Sequence, residues 1–454
     1  MKIVNPATAQ VIAEVPEDTA ATVAEKAAAA RLAQPGWWAT PFEARQRAVA
    51  AWNALVAQNK DRLARTLTEE MGKPLQQALN ELNALKGRVD FFLANAAAVL
   101  QEEVVHAGGP TEERIGWEPL GVVANISAWN YPYFVGSNVF VPALLTGNAV
   151  LYKPSELTTR TGLALGELWH QAGVPRDVFQ VLVGGGAVGE ALLAQPLDGL
   201  FFTGSYATGK KIAQATAGRM LKVQLELGGK DPAYVAEDVD VAAAAASLAD
   251  GAMYNAGQSC CSVERIYVHE QIAGPFIEAF LEAVRGFTVG DPLDPKTYIG
   301  PLARRAQLDV LERQIGDAIA KGAKVLIGGK RDETRVGWFQ PTVVTSVTSD
   351  MALMREESFG PVIGIQTVGS DDEAVRLMND TEYGLTAAVY TKDRERAQRL
   401  LRQVRVGTAY WNCCDRVSPG LPWTGRGHSG VGSTLSTHGI RAFLQPKAWH
   451  LRQA

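Results

Sequence analysis

The sequence predicts an α/β protein in which parallel β-sheets carry helices on both faces. Short apolar runs of strand length alternate with longer segments whose apolar residues recur at helical spacing. This alternation is typical of parallel sheets, because each crossover between parallel strands needs a connection long enough for a helix. At 454 residues the chain exceeds one ordinary domain, so we expect two or three lobes. No linker rich in proline, glycine and serine separates them, which predicts that the lobes pack closely.

Helices come first along the chain. The alanine-rich stretch 20–33 and the segment 42–93 have apolar residues at helical spacing. A strand–helix rhythm follows, with buried strands predicted at 121–127, 148–153, 178–183, 200–203 and 223–226, and helices at 159–171 and 208–217. Ligands of such sheets bind beyond the carboxyl ends of the strands, so we expect the functional site at that edge.

A second α/β region follows the pair Gly228-Gly229. It is predicted to contain a long helix at 239–255 and then strands at 265–269, 323–328, 342–347, 362–368 and 385–390. The polar segment 102–117 contains Gly-Gly-Pro and interrupts the pattern as a hairpin candidate. Together with a terminal strand candidate at 448–451, it would serve contacts between subunits.

Composition excludes several classes of protein. Apolar residues at 47% and charged residues at 20% are typical of a soluble globular protein. A net charge of −4 and a pI near 6.0 supply no basic footprint for nucleic acid or anionic membrane. No apolar run reaches the ~20 residues needed to span a bilayer, and the amino terminus lacks the apolar core of a signal peptide. We therefore expect a cytoplasmic location, no membrane partner and no nucleic-acid partner.

The four cysteines occur as two adjacent pairs, Cys260-Cys261 and Cys413-Cys414. So few cysteines in a chain of this length do not form a disulfide framework. Neither pair has metal-ligand spacing, and the histidines form no local cluster with them. We expect no metal site.

A candidate nucleophile lies in the polar loop Asn255-Ala-Gly-Gln-Ser-Cys-Cys-Ser262. The residues around Cys260 are poor core residues, and polar surroundings favour the thiolate over the thiol. A cysteine by itself is more often a small buried hydrophobe. The adjacent Cys261 is the competing nucleophile, although a structural role suits it better.

A candidate base, Glu226, closes the apolar run Val223-Gln-Leu-Glu226. A carboxylate among apolar neighbours is costly unless it is paired or protonated, and a raised pKa would suit a group that takes a proton from water near neutral pH. The alternative is an ordinary salt bridge to a lysine such as Lys230. Considered with Cys260, the pattern is typical of covalent catalysis through a thioester that activated water hydrolyses.

Asn130 is the candidate for stabilising an oxyanion. It follows a predicted strand in Ala128-Trp-Asn-Tyr-Pro132, and a side-chain amide at a strand's end is a ready hydrogen-bond donor. The alternative is a turn asparagine before Pro132.

Two glycine-rich segments follow predicted strands. Gly184-Gly-Gly-Ala-Val-Gly189 has the spacing of a dinucleotide fingerprint, but it lacks the acidic residue expected about 20 residues later. We therefore predict only a turn and a helix start there. Gly204-Ser-Tyr-Ala-Thr-Gly209 also opens a helix, whose exposed amides could hold a diphosphate.

The acidic group suited to ribose hydroxyls lies in Lys153-Pro-Ser-Glu156. A carboxylate there would repel a 2′-phosphate, which favours NAD over NADP. Lys153 could bond to the same ribose, unless it is a solvated surface lysine. Further on, Glu357 and Phe359 could hold the second ribose and one face of a nicotinamide ring, unless they belong to an ordinary loop.

Taken together, these motifs resemble those of the aldehyde dehydrogenase superfamily, in the family's order and at its spacing over nearly the whole chain. The motifs that carry the resemblance are Asn5-Pro-Ala-Thr8, Glu70-Met-Gly-Lys-Pro74, Trp129-Asn-Tyr-Pro132, Lys153-Pro-Ser-Glu156, Phe202-Thr-Gly-Ser205, Leu225-Glu-Leu-Gly-Gly-Lys230, Gly257-Gln-Ser-Cys260, Glu357-Ser-Phe-Gly-Pro361 and Pro422-Trp423. Any one of them could arise by chance, whereas the ordered set is specific.

The resemblance implies an aldehyde-dehydrogenase-like α/β fold in three parts. These are a Rossmann-type NAD-binding domain (1–100 and 120–227), an α/β catalytic domain (228–435) and a small β extension for oligomerisation (101–119 and 436–454). It also implies NAD(P)-dependent oxidation of an aldehyde to a carboxylic acid, and assembly as a homodimer or homotetramer.

Residue by residue, the resemblance assigns the nucleophile to Cys260, the general base to Glu226 and the oxyanion amide to Asn130, joined by the backbone amide of Cys260. The implied cofactor contacts are Trp129, Lys153, Ser155, Glu156, Gly204, Ser205, Gly209, Leu227, Glu357 and Phe359. The implied walls of the substrate tunnel are Tyr131, Phe134, Cys261, Asp415, Val417 and Trp423. The family commonly has a glutamate where Thr434 stands, which leaves Glu226 as the principal base.

Several alternatives stay open at this point. In a coenzyme-A-acylating dehydrogenase a thiol resolves the thioester, but such relatives often lack the glutamate at the position of Glu226. A non-catalytic binding protein on the same fold is the alternative from another class. Aromatic tunnel walls suit apolar or aromatic aldehydes and could hold a quaternary ammonium, although betaine-aldehyde enzymes carry a tryptophan where Asn138 stands. Arg416 would suit a semialdehyde, and Cys261 could trap oxidised Cys260 reversibly.

Overall fold

Two large β-sheets and a three-stranded extension organise the computed structural model, which describes residues 1–453. The first large sheet has six strands, and all neighbours run parallel except at one edge. In spatial order these strands are Gly430–Val431, Lys222–Glu226, Gly199–Thr203, Val122–Ile126, Ala149–Lys153 and Phe179–Val181. The parallel sheet predicted from the strand–helix rhythm is present, with strand ends shifted by one or two residues.

Helices cover both faces of this six-stranded sheet. Their bounds are Ala20–Ala39, Phe42–Gln58, Lys60–Met71, Leu75–Leu100, Pro132–Leu145, Thr159–Gln171, Gly186–Leu193 and Tyr206–Thr216. The region 42–93, predicted to be helical from its apolar spacing, folds as three helices. One break follows from Gly72, which ends a helix in the left-handed region at φ +86° and donates its N–H to the carbonyl of Thr68. Pro74 then occupies the position immediately before the next helix.

The second sheet has seven strands and forms the core of the other lobe. In spatial order they are Lys324–Ile327, Thr342–Thr345, Val362–Val368, Val263–His269, Asp231–Val235, Thr386–Tyr390 and Thr408–Trp411. Only the first two of these strands pair antiparallel. The helices of this lobe are Val241–Met253, Ala273–Arg285, Ala306–Ala320, Ala352–Arg355, Asp371–Asn379 and Arg394–Leu401.

The sequence analysis missed Asp231–Val235, a fully buried strand near the centre of the seven-stranded sheet. Its first two residues, Asp231 and Pro232, are normally read as strand breakers. The structure accommodates them at the strand's start, where the Asp231 carboxylate accepts a hydrogen bond of 2.6 Å from the Thr386 hydroxyl. Tertiary packing has overridden local propensity here.

The extension is an antiparallel ribbon of Glu103–Gly108, Thr111–Pro119 and Leu444–Arg452. The predicted hairpin is therefore present, and the terminal strand is longer than the expected 448–451. The helix Ser436–Arg441 precedes that strand. A further antiparallel pair, Lys2–Val4 with Val11–Glu14, forms at the amino terminus.

One of the expected domain boundaries differs from the sheet topology. Gly430–Val431 was assigned with the catalytic domain, but it pairs with Lys222–Glu226 at the edge of the six-stranded sheet. The chain thus returns to the first lobe before residue 436, where backbone hydrogen bonds join this segment to the edge of the six-stranded sheet. Short 3₁₀ turns complete the secondary structure at Glu156–Thr158, Tyr254–Gly257, Glu270–Ile272 and Gly427–Ser429. Within residues 1–453, no helix is both long and apolar enough to cross a bilayer.

Candidate active site

A cavity of about 1300 Å³ is lined by residues of both lobes. Residues at the carboxyl ends of four strands of the six-stranded sheet line it: Ile126, Lys153, Thr203 and Glu226. This is the edge at which parallel sheets bind ligands. The cysteine loop that follows the helix Val241–Met253 lines the same cavity. The structure therefore brings together Cys260, Glu226 and Asn130, the three side chains selected as catalytic candidates.

An unusual backbone turn positions Cys260. Asn255, Ala256 and Gly257 all lie in the left-handed region, with φ of +54°, +55° and +69°. A Cβ on Gly257 would lie 2.2 Å from the carbonyl oxygen of Gly360, so only glycine fits there. The Asn255 amide locks the turn by donating to the carbonyls of Asn130 at 3.2 Å and Gln258 at 3.1 Å. The loop thus holds Cys260 at the cavity wall, where its side chain is half-buried.

The Asn130 side chain has one N–H available for a ligand. Its amide nitrogen donates a 3.1 Å hydrogen bond to the carbonyl of Gln258, on the cysteine loop. A primary amide carries two N–H donors, so the second remains for an oxygen in the cavity. Asn130 is buried, which protects such a bond from competing water. The alternative of a simple turn asparagine does not account for this link between the two loops.

Cys261 lies deeper than Cys260 and is held by a carboxylate. Its thiol donates to Oδ1 of Asp415 at 3.0 Å, and the Ser259 hydroxyl donates to the same oxygen at 3.2 Å. The pKa of the Cys261 thiol is raised well above its usual value by its hydrogen bond with the Cys260 side chain, by burial and by the Asp415 charge. Cys261 therefore stays a thiol at neutral pH, which favours Cys260 as the nucleophile.

Glu226 is buried and is held only by neutral hydrogen-bond donors. Thr434 donates its hydroxyl to Oε1, Gln224 donates to the same oxygen at 3.2 Å, and Thr203 donates to Oε2 at 3.4 Å. Burial raises the pKa of the Glu226 carboxyl to about 7, and the hydrogen bond from Thr434 is the largest opposing effect. A carboxyl with this pKa takes up a proton readily near neutral pH.

The alternative partner for Glu226, Lys230, is engaged elsewhere. Its ammonium lies 2.6 Å from Glu264 and donates to the Ser358 hydroxyl at 3.0 Å. The Glu264 carboxylate also accepts the backbone N–H groups of Ser358 and Phe359, at 2.8 and 3.0 Å. This buried ion pair therefore fixes the loop that carries Phe359, and the salt-bridge explanation of Glu226 is wrong.

The loop that this ion pair fixes carries two predicted cofactor contacts, Glu357 and Phe359. Glu357 accepts the N–H of Gly229 at 3.1 Å, and burial raises the pKa of its carboxyl to about 8. Phe359 adopts φ +47° and packs edge-on against Trp129, with ring centroids 5.5 Å apart. Both side chains line the cavity close to Cys260's loop.

The other end of the cavity has the features needed to hold a dinucleotide. Ser205 caps the helix Tyr206–Thr216 and lines the cavity, so the free amides of the first turn lie at this wall. Glu156 is exposed and Lys153 is buried beside it, with burial lowering the pKa of the Lys153 ammonium. Gly186 lines the same wall, and a Cβ built on it would meet no atom within 4 Å. Hydrogen-bond donors, a carboxylate and open space therefore fit a ribose and a diphosphate.

Two glycine segments differ in what they place at the cavity wall. Gly209 does not line the cavity, because its missing Cβ makes room for Leu227, whose Cδ2 would lie 2.5 Å from an added Cβ. It is a packing glycine. The segment 184–189 forms the expected turn and helix start, since a helix begins at Gly186, and it also contributes Gly185, Gly186 and Gly189 to the cavity wall. It does so because its strand, Phe179–Val181, pairs directly with the strand that carries Lys153.

Every other predicted contact lines this cavity. The cofactor candidates there are Trp129, Lys153, Ser155, Glu156, Gly204, Ser205, Leu227, Glu357 and Phe359, and the tunnel candidates are Tyr131, Phe134, Cys261, Asp415, Val417 and Trp423. Tyr131 and Phe134 stack with ring centroids 6.2 Å apart.

The sequence analysis missed several residues of the tunnel. Arg88 lies 4.0 Å from the ring centroid of Phe134 and donates to the side-chain oxygen of Asn138 at 2.8 Å. Asp250 and Tyr254 also line the cavity. The available signal was the spacing of Gln77, Glu81, Ala84 and Arg88, which puts them on one face of the helix Leu75–Leu100. Within residues 1–453, no three His, Cys, Asp or Glu side chains are arranged to hold a metal ion.

Comparison with known proteins identifies the family that shares this arrangement. A family model described as "Aldehyde dehydrogenase family" matches residues 1–449. The chain is 36% identical to aminoaldehyde dehydrogenase 2, peroxisomal, of Malus domestica, and 35% identical to betaine aldehyde dehydrogenase, chloroplastic, of Amaranthus hypochondriacus. In both cases the similarity covers 98% of this chain and 91% of the relative. The crystal structure of an NAD-dependent aldehyde dehydrogenase from Sinorhizobium meliloti superposes with a TM-score of 0.96 at 35% identity, covering 99% of this chain and 91% of that one.

The cytoplasmic location expected from the sequence is contradicted by these relatives. Their names place the Malus domestica protein in peroxisomes and the Amaranthus hypochondriacus protein in chloroplasts. The expectation rested on the absence of an apolar leader, but organellar addresses are read by receptors and need no apolar segment.

Proposed function

The chain belongs to the aldehyde dehydrogenase family, and from that membership we propose that it acts through a covalent intermediate on Cys260. Its reaction class is NAD(P)-dependent oxidation of an aldehyde to a carboxylic acid. The observation that carries the proposal is that Cys260, Asn130 and Glu226, distant in sequence, line one cavity. The coenzyme-A-acylating alternative is not favoured, because a buried carboxylate with a pKa of about 7 is present to activate water.

The first step is attack of the Cys260 thiolate on the aldehyde carbon. The carbonyl oxygen becomes an oxyanion, which the second N–H of Asn130 and the backbone N–H of Cys260 would stabilise. With a nicotinamide dinucleotide held at the cofactor residues of this cavity, a hydride acceptor would be available, and loss of hydride from the carbon attached to Cys260 would leave a thioester there.

The second step is hydrolysis of that thioester. Glu226, in its ionised form, takes a proton from a water molecule as the water attacks the thioester carbon. The carboxylic acid leaves and the Cys260 sulfur departs as the thiolate, which restores the nucleophile. Because Cys261 stays protonated beside Asp415, it does not compete for the aldehyde.

For the cofactor, we propose a preference for NAD over NADP. Glu156 and Lys153 would hold the adenosine ribose, the first turn of the helix Tyr206–Thr216 would hold the diphosphate, and Glu357 would hold the second ribose. The exposed Glu156 carboxylate would repel a 2′-phosphate.

For assembly, we propose a homodimer or homotetramer built on the extension. The edge strand Glu103–Gly108 is exposed along its whole length, and Val104 and Val105 each have 57% of their surface exposed. An exposed apolar edge is a template for pairing with another chain. Native mass spectrometry of the 48.7 kDa chain distinguishes the two assemblies.

For the substrate, we propose an aldehyde that carries a cationic amino group. Asp415 accepts only thiol and hydroxyl hydrogen bonds, and Asp250 accepts one from the Tyr298 hydroxyl. The rings of Tyr131 and Trp423 line the cavity with these carboxylates, and aromatic faces attract cations. The relatives named aminoaldehyde and betaine aldehyde dehydrogenases agree with this choice.

Replacing Cys260 tests the nucleophile. We expect Cys260→Ala to abolish NADH formation, because no other ionisable thiol faces the aldehyde. The matched control is Cys261→Ala, which removes the neighbouring thiol and should retain turnover. A Cys260→Ala enzyme that still reduces NAD with aldehyde would assign the nucleophile elsewhere.

Replacing Glu226 tests the base. We expect Glu226→Gln to retain a first-turnover burst of NADH and to lose steady-state turnover by about a hundredfold or more. In the wild type, hydrolysis should rise with pH through about 7, because the raised pKa of the Glu226 carboxyl must be exceeded before the group can accept a proton. Rapid-mixing measurements of NADH report both phases. Loss of the burst in Glu226→Gln would contradict the assigned role.

Replacing Glu156 tests the cofactor preference. We expect Glu156→Gln to raise kcat/KM for NADP relative to NAD by about tenfold, because a like-charge repulsion is removed. Glu190→Gln is the matched control, since Glu190 is another carboxylate of the cavity wall. An unchanged ratio of the two kcat/KM values would exclude Glu156 as the discriminating group.

Replacing Asp415 tests the substrate class. We expect Asp415→Asn to lower kcat/KM by about tenfold for 4-aminobutanal, because a favourable charge interaction with the ammonium is lost. For butanal, which has the same chain and no charge, kcat/KM should change by less than about twofold. Equal losses for both aldehydes would mean that Asp415 acts only through the cysteine loop.

A further inference from the structure

A segment from the end of the chain reaches the carboxylate of Glu226. Gly430 pairs with Glu226 in an antiparallel ladder, and Leu227 donates its N–H to the carbonyl of Ser429 at 3.1 Å. Gly430 has φ +115°, and a Cβ on it would lie 1.9 Å from the carbonyl oxygen of Leu225. Only glycine permits this approach, and the segment then continues directly to Thr434.

Thr434 itself is rigidly held. It is fully buried, its N–H donates to the carbonyl of Trp423 at 3.0 Å, and the N–H of Trp423 donates to the carbonyl of Thr434 at 2.8 Å. Its hydroxyl donates to Oε1 of Glu226, the oxygen that also accepts the Gln224 amide, while Thr203 donates to Oε2. Since Trp423 also lines the tunnel, one short backbone ladder joins the tunnel wall to the candidate base.

We propose that Thr434 is a positioning residue for water activation: its hydroxyl orients the Glu226 carboxylate and stabilises the ionised form that accepts the proton. The inference rests on the proposed role of Glu226 as the base. A hydroxyl that donates a hydrogen bond to Glu226 stabilises its ionised carboxylate relative to the protonated acid. A carboxylic acid at this position would instead share protons with Glu226, so that the pair would titrate together.

The electrostatics agree with this geometry. Burial raises the pKa of the Glu226 carboxyl to about 7, while the hydrogen bond from Thr434 opposes the rise more than the charge of Arg88 or the other donors do. Loss of the Thr434 hydroxyl therefore raises the pKa further. Because Glu226 must be ionised to accept a proton, hydrolysis of the thioester would then require a higher pH.

The test isolates hydrolysis from every other step. 4-Nitrophenyl acetate acetylates Cys260 without any nicotinamide, releasing 4-nitrophenolate, and intact-mass spectrometry follows the decay of the acetyl-enzyme. The decay rate is measured across about pH 5 to 9 for the wild type, Thr434→Val and Thr434→Ser. Thr434→Val keeps the shape of the side chain and removes the hydroxyl, whereas Thr434→Ser keeps the hydroxyl. Thr434→Ala removes the same hydroxyl and replaces the valine variant if that variant does not fold.

We expect the pH profile of decay in Thr434→Val to move up by about one unit, with decay about tenfold slower below neutrality and nearly unchanged at high pH. Thr434→Ser should restore the wild-type profile. The matched control is Thr216→Val, which removes a buried hydroxyl that donates within its own helix, and it should leave the profile unchanged.

Two outcomes would overturn the inference while leaving the proposed function intact. One is a Thr434→Val profile identical to the wild type, and the other is a decay slowed equally at every pH, which would be a structural effect alone. Measuring the decay of the acetyl-enzyme in Glu226→Gln as well distinguishes a third outcome, failure of the proposed base itself. If that variant lost its acetyl group at the wild-type rate, Glu226 would not be the base, and both the proposed function of Glu226 and this inference would fail.

Discussion

The buried carboxylate of Glu226 constrains the architecture around it, because a desolvated charge without an adjacent cation must be stabilised by other donors. The structure supplies two threonine hydroxyls and one glutamine amide for this purpose. Neutral donors leave the pKa of the carboxyl near neutrality, whereas a direct ion pair would depress it and weaken the base. The close approach of the segment from Gly430 to Thr434 provides one of these donors.

Two buried lysines occur near the cavity, and each pairs with a glutamate that fixes a segment of the cavity wall. The pair of Lys230 and Glu264 fixes the loop that carries Phe359. The pair of Lys73 and Glu81, 2.6 Å apart, acts at the opposite wall, where Glu81 accepts the first N–H groups of the helix Pro132–Leu145. That helix begins two residues after Asn130, so both buried ion pairs keep reactive or ligand-binding side chains in place. Breaking either pair would leave a buried charge uncompensated.

Much of the fold could be predicted from local sequence patterns. Where those predictions failed, the failure has a physical cause. The strands that alternate with helices were found, because burial on both faces produces continuous apolar runs. Asp231–Val235 was missed, since its first residues resemble breakers and only the packing of its neighbours makes it a strand. Gly209 and Gly186 look equivalent in sequence, yet one packs against Leu227 and the other faces open space. Which role a glycine has depends on what the fold places opposite it.

The sequence by itself predicted the reaction class, because its ordered set of motifs resembles that of the aldehyde dehydrogenase family to which the chain belongs. It could not determine what surrounds them. Only the tertiary structure placed Thr434 on Glu226 and Asp415 on Cys261. These contacts join residues far apart in the chain, and they depend on how the two lobes and the returning carboxyl-terminal segment pack. Local residue patterns carry no record of that packing.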